Sequence, residues 1–273
     1  MNSISDVIKK RRSVRTYDSR TLDENTKKQI LTYAGEIANP FGIPVSFKLL
    51  DAGEHGLVCP VVSGTDLYVG GKVKNIPGAS AAFGYSFEKF VLYVHSLGLG
   101  TVWLGGTMNR GAFERALELA DDEMMPCATP IGYPASAMSM REKMMRIGVK
   151  ADQRKPFEEL FFDGTPDCPL TKERAGILAE PLEMVRLAPS AVNKQPWRVI
   201  AADGCVHFYL KRSKASAPAG RLDMQMVDMG IALCHFALAA EEKGLQPEFL
   251  QADPKLTAGR DLEYVGSYKV NFL

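Results

Sequence analysis

The chain has 273 residues, 46% of them hydrophobic and 24% charged, an ordinary composition for a globular protein that buries its own core. Lys and Arg total 33 against 32 Asp and Glu, a formal net charge of +1, which excludes the basic excess expected of a nucleic-acid binder and leaves any anion binding to local clusters. Five scattered cysteines without a Cys-x-x-Cys exclude a disulfide framework and a thiolate metal site. The opening Met-Asn-Ser-Ile-Ser-Asp lacks an apolar signal region, and no apolar run reaches the roughly 18–20 residues that span a bilayer, so a cytoplasmic protein without membrane or nucleic-acid partners is expected.

In chain order, Ser3 with Asp6 and Thr21 with Glu24 read as capping boxes opening helices near 4–12 and 22–37. Residues 44–50 and 65–70 read as short strands, each closed by glycine or polar breakers. A long apolar helix follows over 79–97 and stops at Gly98-Leu-Gly100. Thr101–Leu104 reads as a strand leading into a Gly105-Gly106 turn, 109–120 as a helix, and 126–134 as a buried strand closed by glycine and prolines. The plan then recurs at an offset of about 150 residues: Leu170-Thr-Lys-Glu against Leu22-Asp-Glu-Asn, Pro196–Ile200 against Pro44–Lys48, and the apolar helix ending at Gly244-Leu245 against the one ending at Gly98-Leu99. The expectation is duplication into halves of 1–155 and 156–273.

Two segments carry the chemistry. Arg11-Arg-Ser-Val-Arg15 is a cationic cluster with a hydroxyl, suited to a phosphate; Ala188-Pro-Ser-Ala-Val-Asn-Lys-Gln-Pro-Trp197 is a polar, proline-bracketed turn between an apolar helix and a strand, suited to a flat heterocycle. Together they resemble the nitroreductase family of FMN-dependent oxidoreductases, in its tandem-duplicated single-chain form. The implied fold is α+β, with mixed and antiparallel sheets flanked by helices and two pseudo-symmetric halves forming an intrachain pseudo-dimer. The halves are unequal: Asn39-Pro-Phe-Gly42 replaces the polar turn in the first, and no Arg-Arg-Ser precedes Leu170 in the second. The resemblance therefore implies one FMN shared by intimately packed halves.

It also assigns roles. Arg11, Arg12 and Ser13 would take the phosphate, and Arg15 would face N1 and O2 of the flavin, where a cation stabilises the reduced ring. Pro189, Ser190, Ala191, Asn193 and Gln195 would meet the ribityl chain and pyrimidine edge. Trp103 with Gly105 and Gly106, and Ile131 with Gly132, would run beside the ring, while Arg154 and Lys155 would form a second basic pair. Lys72 and Lys74 are weaker candidates for a further cation. His95 and His235, on apolar helices, read as core imidazoles, and no metal is expected. The implied activity passes reducing equivalents from NAD(P)H through flavin N5 to a small electron-poor acceptor, a nitroaromatic or quinone, by a ping-pong scheme with no protein catalytic residue. The alternatives are an FMN carrier or sensor without turnover, and a related reductive dehalogenase. A monomeric pseudo-dimer and a homodimer both fit.

Overall fold

The computed structural model describes residues 3–213, 222–257 and 260–272. They divide into two compact units: Lys10–Ala151, and Met1–Lys9 together with Asp152–Leu273. The sequence boundary carried residues 1–155 as one half, whereas helix α1 (Ile4–Lys10) enters the unit of Asp152–Leu273. The reason is local. The Ile4 and Ser5 N–H groups, two donors without partners inside their own helix, are taken by the Glu242 carboxylate at 2.5 and 3.1 Å.

In the Lys10–Ala151 unit, α2 (Glu24–Glu36), β1 (Val45–Asp51), the short α3 (Ala52–His55), β2 (Leu67–Lys74), α4 (Ala79–Ser96), α5 (Arg110–Ala116), β3 (Glu123–Met124), β4 (Ala128–Pro130) and α6 (Met140–Gly148) follow one another. The strands form an antiparallel sheet in which β2 pairs with β1, β3 and β4. The cap of α2 is Asp23 rather than Thr21: its carboxylate accepts the Thr26 N–H at 2.9 Å and the Thr26 hydroxyl at 2.8 Å, so the helix opens at Glu24.

Strand β2 runs through Gly70-Gly71, where the sequence placed its end. Both glycines are required by packing on opposite faces. A Cβ on Gly71 would lie 2.8 Å from the Phe83 ring of α4, and one on Gly70 would lie 2.8 Å from Leu117. Phe47 of β1 meets Phe90 and Phe87 of α4 at ring-centroid distances of 5.1 and 5.9 Å, so α4 closes one side of the sheet with aromatic rings.

The expected strand 101–104 is present only as isolated bridges, Gly100 to Gly132, Ser13 to Thr101 and Leu104 to Ala128. Val102 gives its N–H to the Thr129 hydroxyl at 3.1 Å instead of to a ladder. Of the expected strand 126–134 only β4 is regular, since Pro126, Pro130 and Pro134 have no N–H to donate. The helix expected over 109–120 stops at Ala116, and Glu118 turns left-handed two residues on.

In the other unit, α7 (Phe157–Leu160), β5 (Phe161–Asp163), α8 (Lys172–Ala175), α9 (Ala179–Leu187), β6 (Trp197–Ala202), β7 (Cys205–Leu210), α10 (Met224–Glu242), β8 (Leu245–Leu250) and β9 (Glu263–Phe272) build a five-stranded sheet in the order β5-β6-β7-β9-β8. Only β5 and β6 are parallel. Phe236 of α10 packs on Phe208 and Tyr268 of the sheet at 5.6 and 5.4 Å, and Trp197 of β6 is fully buried. Each unit thus contains the succession helix, strand, antiparallel strand, long apolar helix. All five cysteines are free thiols, and no helix among the described residues is long and apolar enough to cross a membrane.

Gly64 fixes the segment that follows the Arg cluster. Its φ is +85°, and an added Cβ would fall 2.1 Å from the Tyr17 carbonyl oxygen, beside the bridge in which Tyr17 N–H donates to Ser63 O at 2.9 Å. Backbone on backbone cannot yield as a side chain can. Gly64→Ala is therefore expected to cost roughly 2–4 kcal/mol, read in thermal unfolding as a Tm lowered by about 5–10 °C; an unchanged Tm would contradict this packing.

Candidate functional site: a buried cation cluster and a left-handed turn

Residues 11–15 leave α1 in extended form, pinned by Val14 N–H to Thr101 O at 2.9 Å and by Ser63 N–H to Arg15 O at 2.9 Å. The guanidiniums do not point into solvent. Arg11 has a side chain only 7% exposed, with Nε 3.9 Å from the fully buried Glu88 carboxylate of α4, which also accepts the Trp103 indole N–H at 2.9 Å. Arg12 pairs with Glu142 of α6 at 3.1 Å, and the other oxygen of Glu142 accepts the Arg15 backbone N–H at 3.2 Å. Glu142 itself is held by Ser139, whose hydroxyl caps α6. The Nε atoms of Arg11 and Arg15 are buried without a hydrogen-bond partner. Burial pulls both guanidiniums below the usual arginine range; Glu88 opposes this at Arg11 and Glu142 at Arg15, while the positive charge of Arg146 adds to it at both.

This unit therefore gathers the guanidiniums of Arg11, Arg12 and Arg15, two of them under the positive charge of Arg146, around the carboxylates of Glu88 and Glu142. Arg11 and Arg15 carry their charge in a partly desolvated place, each with a buried Nε that has no hydrogen-bond partner. Such a charge is costly alone and is relieved by an anion. Ser13 joins the cluster through its backbone bridge to Thr101.

The glycine segments lie in the same unit. Gly100 N–H donates to Gly132 O at 2.8 Å, and a Cβ on Gly132 would meet the Tyr17 ring at 2.9 Å, so this glycine is needed by the protein's own packing. Ile131 is fully buried, its carbonyl accepting the Thr65 hydroxyl at 2.7 Å. Gly105 O is taken by Arg110 at 2.7 Å, while a Cβ on Gly106 would meet nothing within 4 Å. Trp103 packs against Phe87 at 4.7 Å in addition to its bond to Glu88. Lys72 and Lys74 pair with Glu123 and Asp122 at 2.7 and 3.1 Å.

In the other unit the 189–195 segment joins α9 to β6 through left-handed backbone at Val192, Asn193 and Gln195, with φ of 45°, 57° and 49°. For a β-branched residue such as Val192 this conformation is a marked outlier. Much of the turn's polarity supports itself. Ser190 Oγ accepts the Gln195 N–H at 2.9 Å, Gln195 Oε1 accepts the Lys155 N–H at 2.9 Å, and Asn193 Nδ2 donates to Gln153 O at 2.9 Å. Arg154 reaches Leu187 O at 3.1 Å and Asn193 Oδ1 at 3.4 Å. The structure thus brings Arg154 and Lys155 to the turn, following Pro189, and leaves Val192 65% exposed.

Sequence reasoning missed Glu88, Glu142, Arg146 and Asp228. Ser139-x-x-Glu142 was legible as a capping pattern, but its second use, as the acid of an arginine cluster, was not. Asp228 stands in the apolar run Met226–Ile231, which marks a buried carboxyl: it is 2% exposed, and its Oδ1 accepts the Ala191 N–H at 2.9 Å. His235, read as a core imidazole, is fully buried with Nδ1 2.8 Å from Met184 O.

Burial pushes the Asp228 carboxyl up to about 8; the Ala191 N–H opposes this and Asp223 adds to it. An unfolded aspartate titrates near 3.9. Between about pH 4 and 8 the folded chain thus keeps a proton that the unfolded chain releases, so this group's contribution to stability falls as pH rises across that window, by on the order of 1 kcal/mol per unit at most. Asp228→Asn cannot titrate. Urea unfolding from pH 5 to 8 is expected to show a shallower loss of stability in this variant than in the wild type, and parallel curves would refute the assignment.

Over residues 3–240 the chain matches the family model described as "Putative TM nitroreductase". The whole chain is similar in fold to a Thermotoga maritima structure described as a putative nitroreductase, at 21% identity and a TM-score of 0.65, covering 99% of this chain and 94% of that one. Partial similarities include a nitroreductase family protein from Clostridium difficile 630, at 16% identity over 58% of this chain and 96% of that one with a TM-score of 0.45, and an FMN-dependent nitroreductase from Clostridium difficile R20291, at 18% identity over 49% and 88% with a TM-score of 0.42. No curated protein matches. The α+β architecture is that of a nitroreductase-like fold, and the chain belongs to the nitroreductase family of oxidoreductases.

Proposed function

We propose that this protein is an FMN-dependent oxidoreductase that takes reducing equivalents from NAD(P)H and passes them to a small electron-poor acceptor, a nitroaromatic or a quinone. The observation that carries the reading is the desolvated Arg11–Arg15 cluster, in which two buried guanidinium Nε donors have no hydrogen-bond partner. A phosphate monoester brings about −1.5 to −2 charges near neutral pH and several strong acceptor oxygens, which suits buried cationic donors of this kind. FMN, when bound, supplies reversible acceptance and donation of a hydride.

The protein's own groups bind and orient. Arg11, Arg12 and Ser13 are assigned to the phosphate, and Arg15 supplies the fixed positive charge that favours an anionic reduced ring. The 189–195 turn offers backbone groups and the Ser190 hydroxyl to a flat polar ligand. Donor and acceptor take turns in one pocket, since the chain has neither a Gly-x-Gly-x-x-Gly nor a P-loop for a resident second nucleotide. The recurring helix-strand-strand-helix order supports an origin by duplication in which phosphate binding and turn were kept in different halves.

Purified protein is expected to carry close to one FMN per chain and to bleach on anaerobic addition of NADH or NADPH. Flavin that stays oxidised with both would favour a carrier. Arg11→Ala and Arg12→Ala would each strip a buried carboxylate, Glu88 or Glu142, of its counter-ion, so the cleaner variant is Arg11→Lys with Arg12→Lys, which keeps a positive charge beside each and removes the guanidinium forks. With charge-assisted bonds worth about 1.5–3 kcal/mol each, FMN affinity is expected to fall tenfold or more with Tm within a few degrees of the wild type. Unchanged retention would remove the phosphate assignment.

A further inference from the structure

The 190–195 turn holds three residues in left-handed backbone, and conformations of this kind persist only where the surroundings over-determine them. Two ties close it. Ser190 Oγ accepts the Gln195 N–H at the far end, and Asp228 of α10 accepts the Ala191 N–H at the near end, at 2.9 Å in both cases. Asp228 is 2% exposed, and its second oxygen, Oδ2, is buried without a hydrogen-bond partner. A carboxyl is a costly group with which to accept one backbone N–H, because its second oxygen is left dry.

We propose that Asp228 is the positioning residue of the flavin-binding turn: its neutral carboxyl, seated under Ala191, holds Val192 and Asn193 in their left-handed form and couples ligand binding to its own protonation. The inference rests on the FMN reading and adds to it a residue outside the two sequence motifs. The coupling has a definite sign. A ligand seated on the turn removes water from it, and this opposes ionisation of a carboxyl already held protonated by burial. By reciprocity, ionising Asp228 weakens the ligand. Of the charges on the elements packed against α10, Glu183 of α9 is paired with Arg186 and Lys172, and Arg198 of β6 bonds to the carbonyls of Gln195 and Trp197. His235 of α10 bonds to Met184 O, and Lys194 ends the turn. Asp223, itself paired with Arg212, is the charge that acts on Asp228.

The test is the dissociation constant of FMN, and in parallel of riboflavin, for refolded or reconstituted chain between pH 6 and 9.5. Riboflavin has no phosphate, so its profile is free of phosphate ionisation and of the phosphate contacts assigned to Arg11, Arg12 and Ser13. For the wild type both constants are expected to rise as pH passes about 8, by up to about tenfold per unit. Asp228→Asn keeps a carbonyl for Ala191 but cannot ionise; it is expected to bind within about threefold of the wild type at pH 7 and to lose that rise. Asp228→Leu removes the acceptor and is expected to bind tenfold or more weakly at every pH, with faster hydrogen exchange at Ala191 in the ligand-free chain. Superimposable profiles for wild type and Asp228→Asn overturn the inference while leaving the FMN reading intact. A wild-type chain that binds neither flavin overturns both.

Discussion

The Lys10–Ala151 unit is organised around a charge problem. Arg11 and Arg15 are carried into partly buried positions by an extended segment that has to sit there, because Val14 and Arg15 are bonded through their backbone to Thr101 and Ser63. Buried guanidiniums cannot be left alone. The unit answers from two directions, with Glu88 out of the aromatic face of α4 and Glu142 out of the first turn of α6. Trp103 steadies the first and Ser139 the second. Two donors stay unanswered within the protein, the buried Nε atoms of Arg11 and Arg15.

The other unit faces the complementary problem of backbone conformation. A turn between α9 and β6 with left-handed residues at Val192, Asn193 and Gln195 is held by polar groups spent on the turn itself, Gln195 on Lys155, Asn193 on Gln153, Asp228 on Ala191. The side chains that read most readily as ligand donors are in large part scaffolding. What they scaffold is the backbone, the component that can approach a flat ring closely and at fixed geometry. Arg154 belongs to this scaffold through its guanidinium, and Lys155 through its backbone N–H.

Much of the element order was legible in the sequence: the long apolar helices, the two N-terminal helices and the polar turn fall close to where periodicity puts them, with Asp23 rather than Thr21 capping α2. Two of the departures show what local pattern misses. Gly70-Gly71 looked like a strand end and is a strand centre, because Leu117 and Phe83 press on its two faces and only glycine admits both. Thr101–Leu104 looked like a strand and is a set of bridges, because Thr129 took the Val102 N–H through a side chain. Neither neighbour is near in sequence, and local pattern cannot report it.

What the sequence determined by itself was the identity of the chemistry-bearing segments, since residue type and spacing fix which groups can hold a phosphate or turn a backbone. What only the tertiary structure decided was their electrical and conformational state. Whether an arginine is solvated or buried, and whether a carboxyl such as Asp228 keeps its proton, depends on the dielectric and the partners around it. Those are supplied by residues 37 to 130 positions away, as with Ala191 and Asp228 or Arg12 and Glu142, and are brought together only by folding.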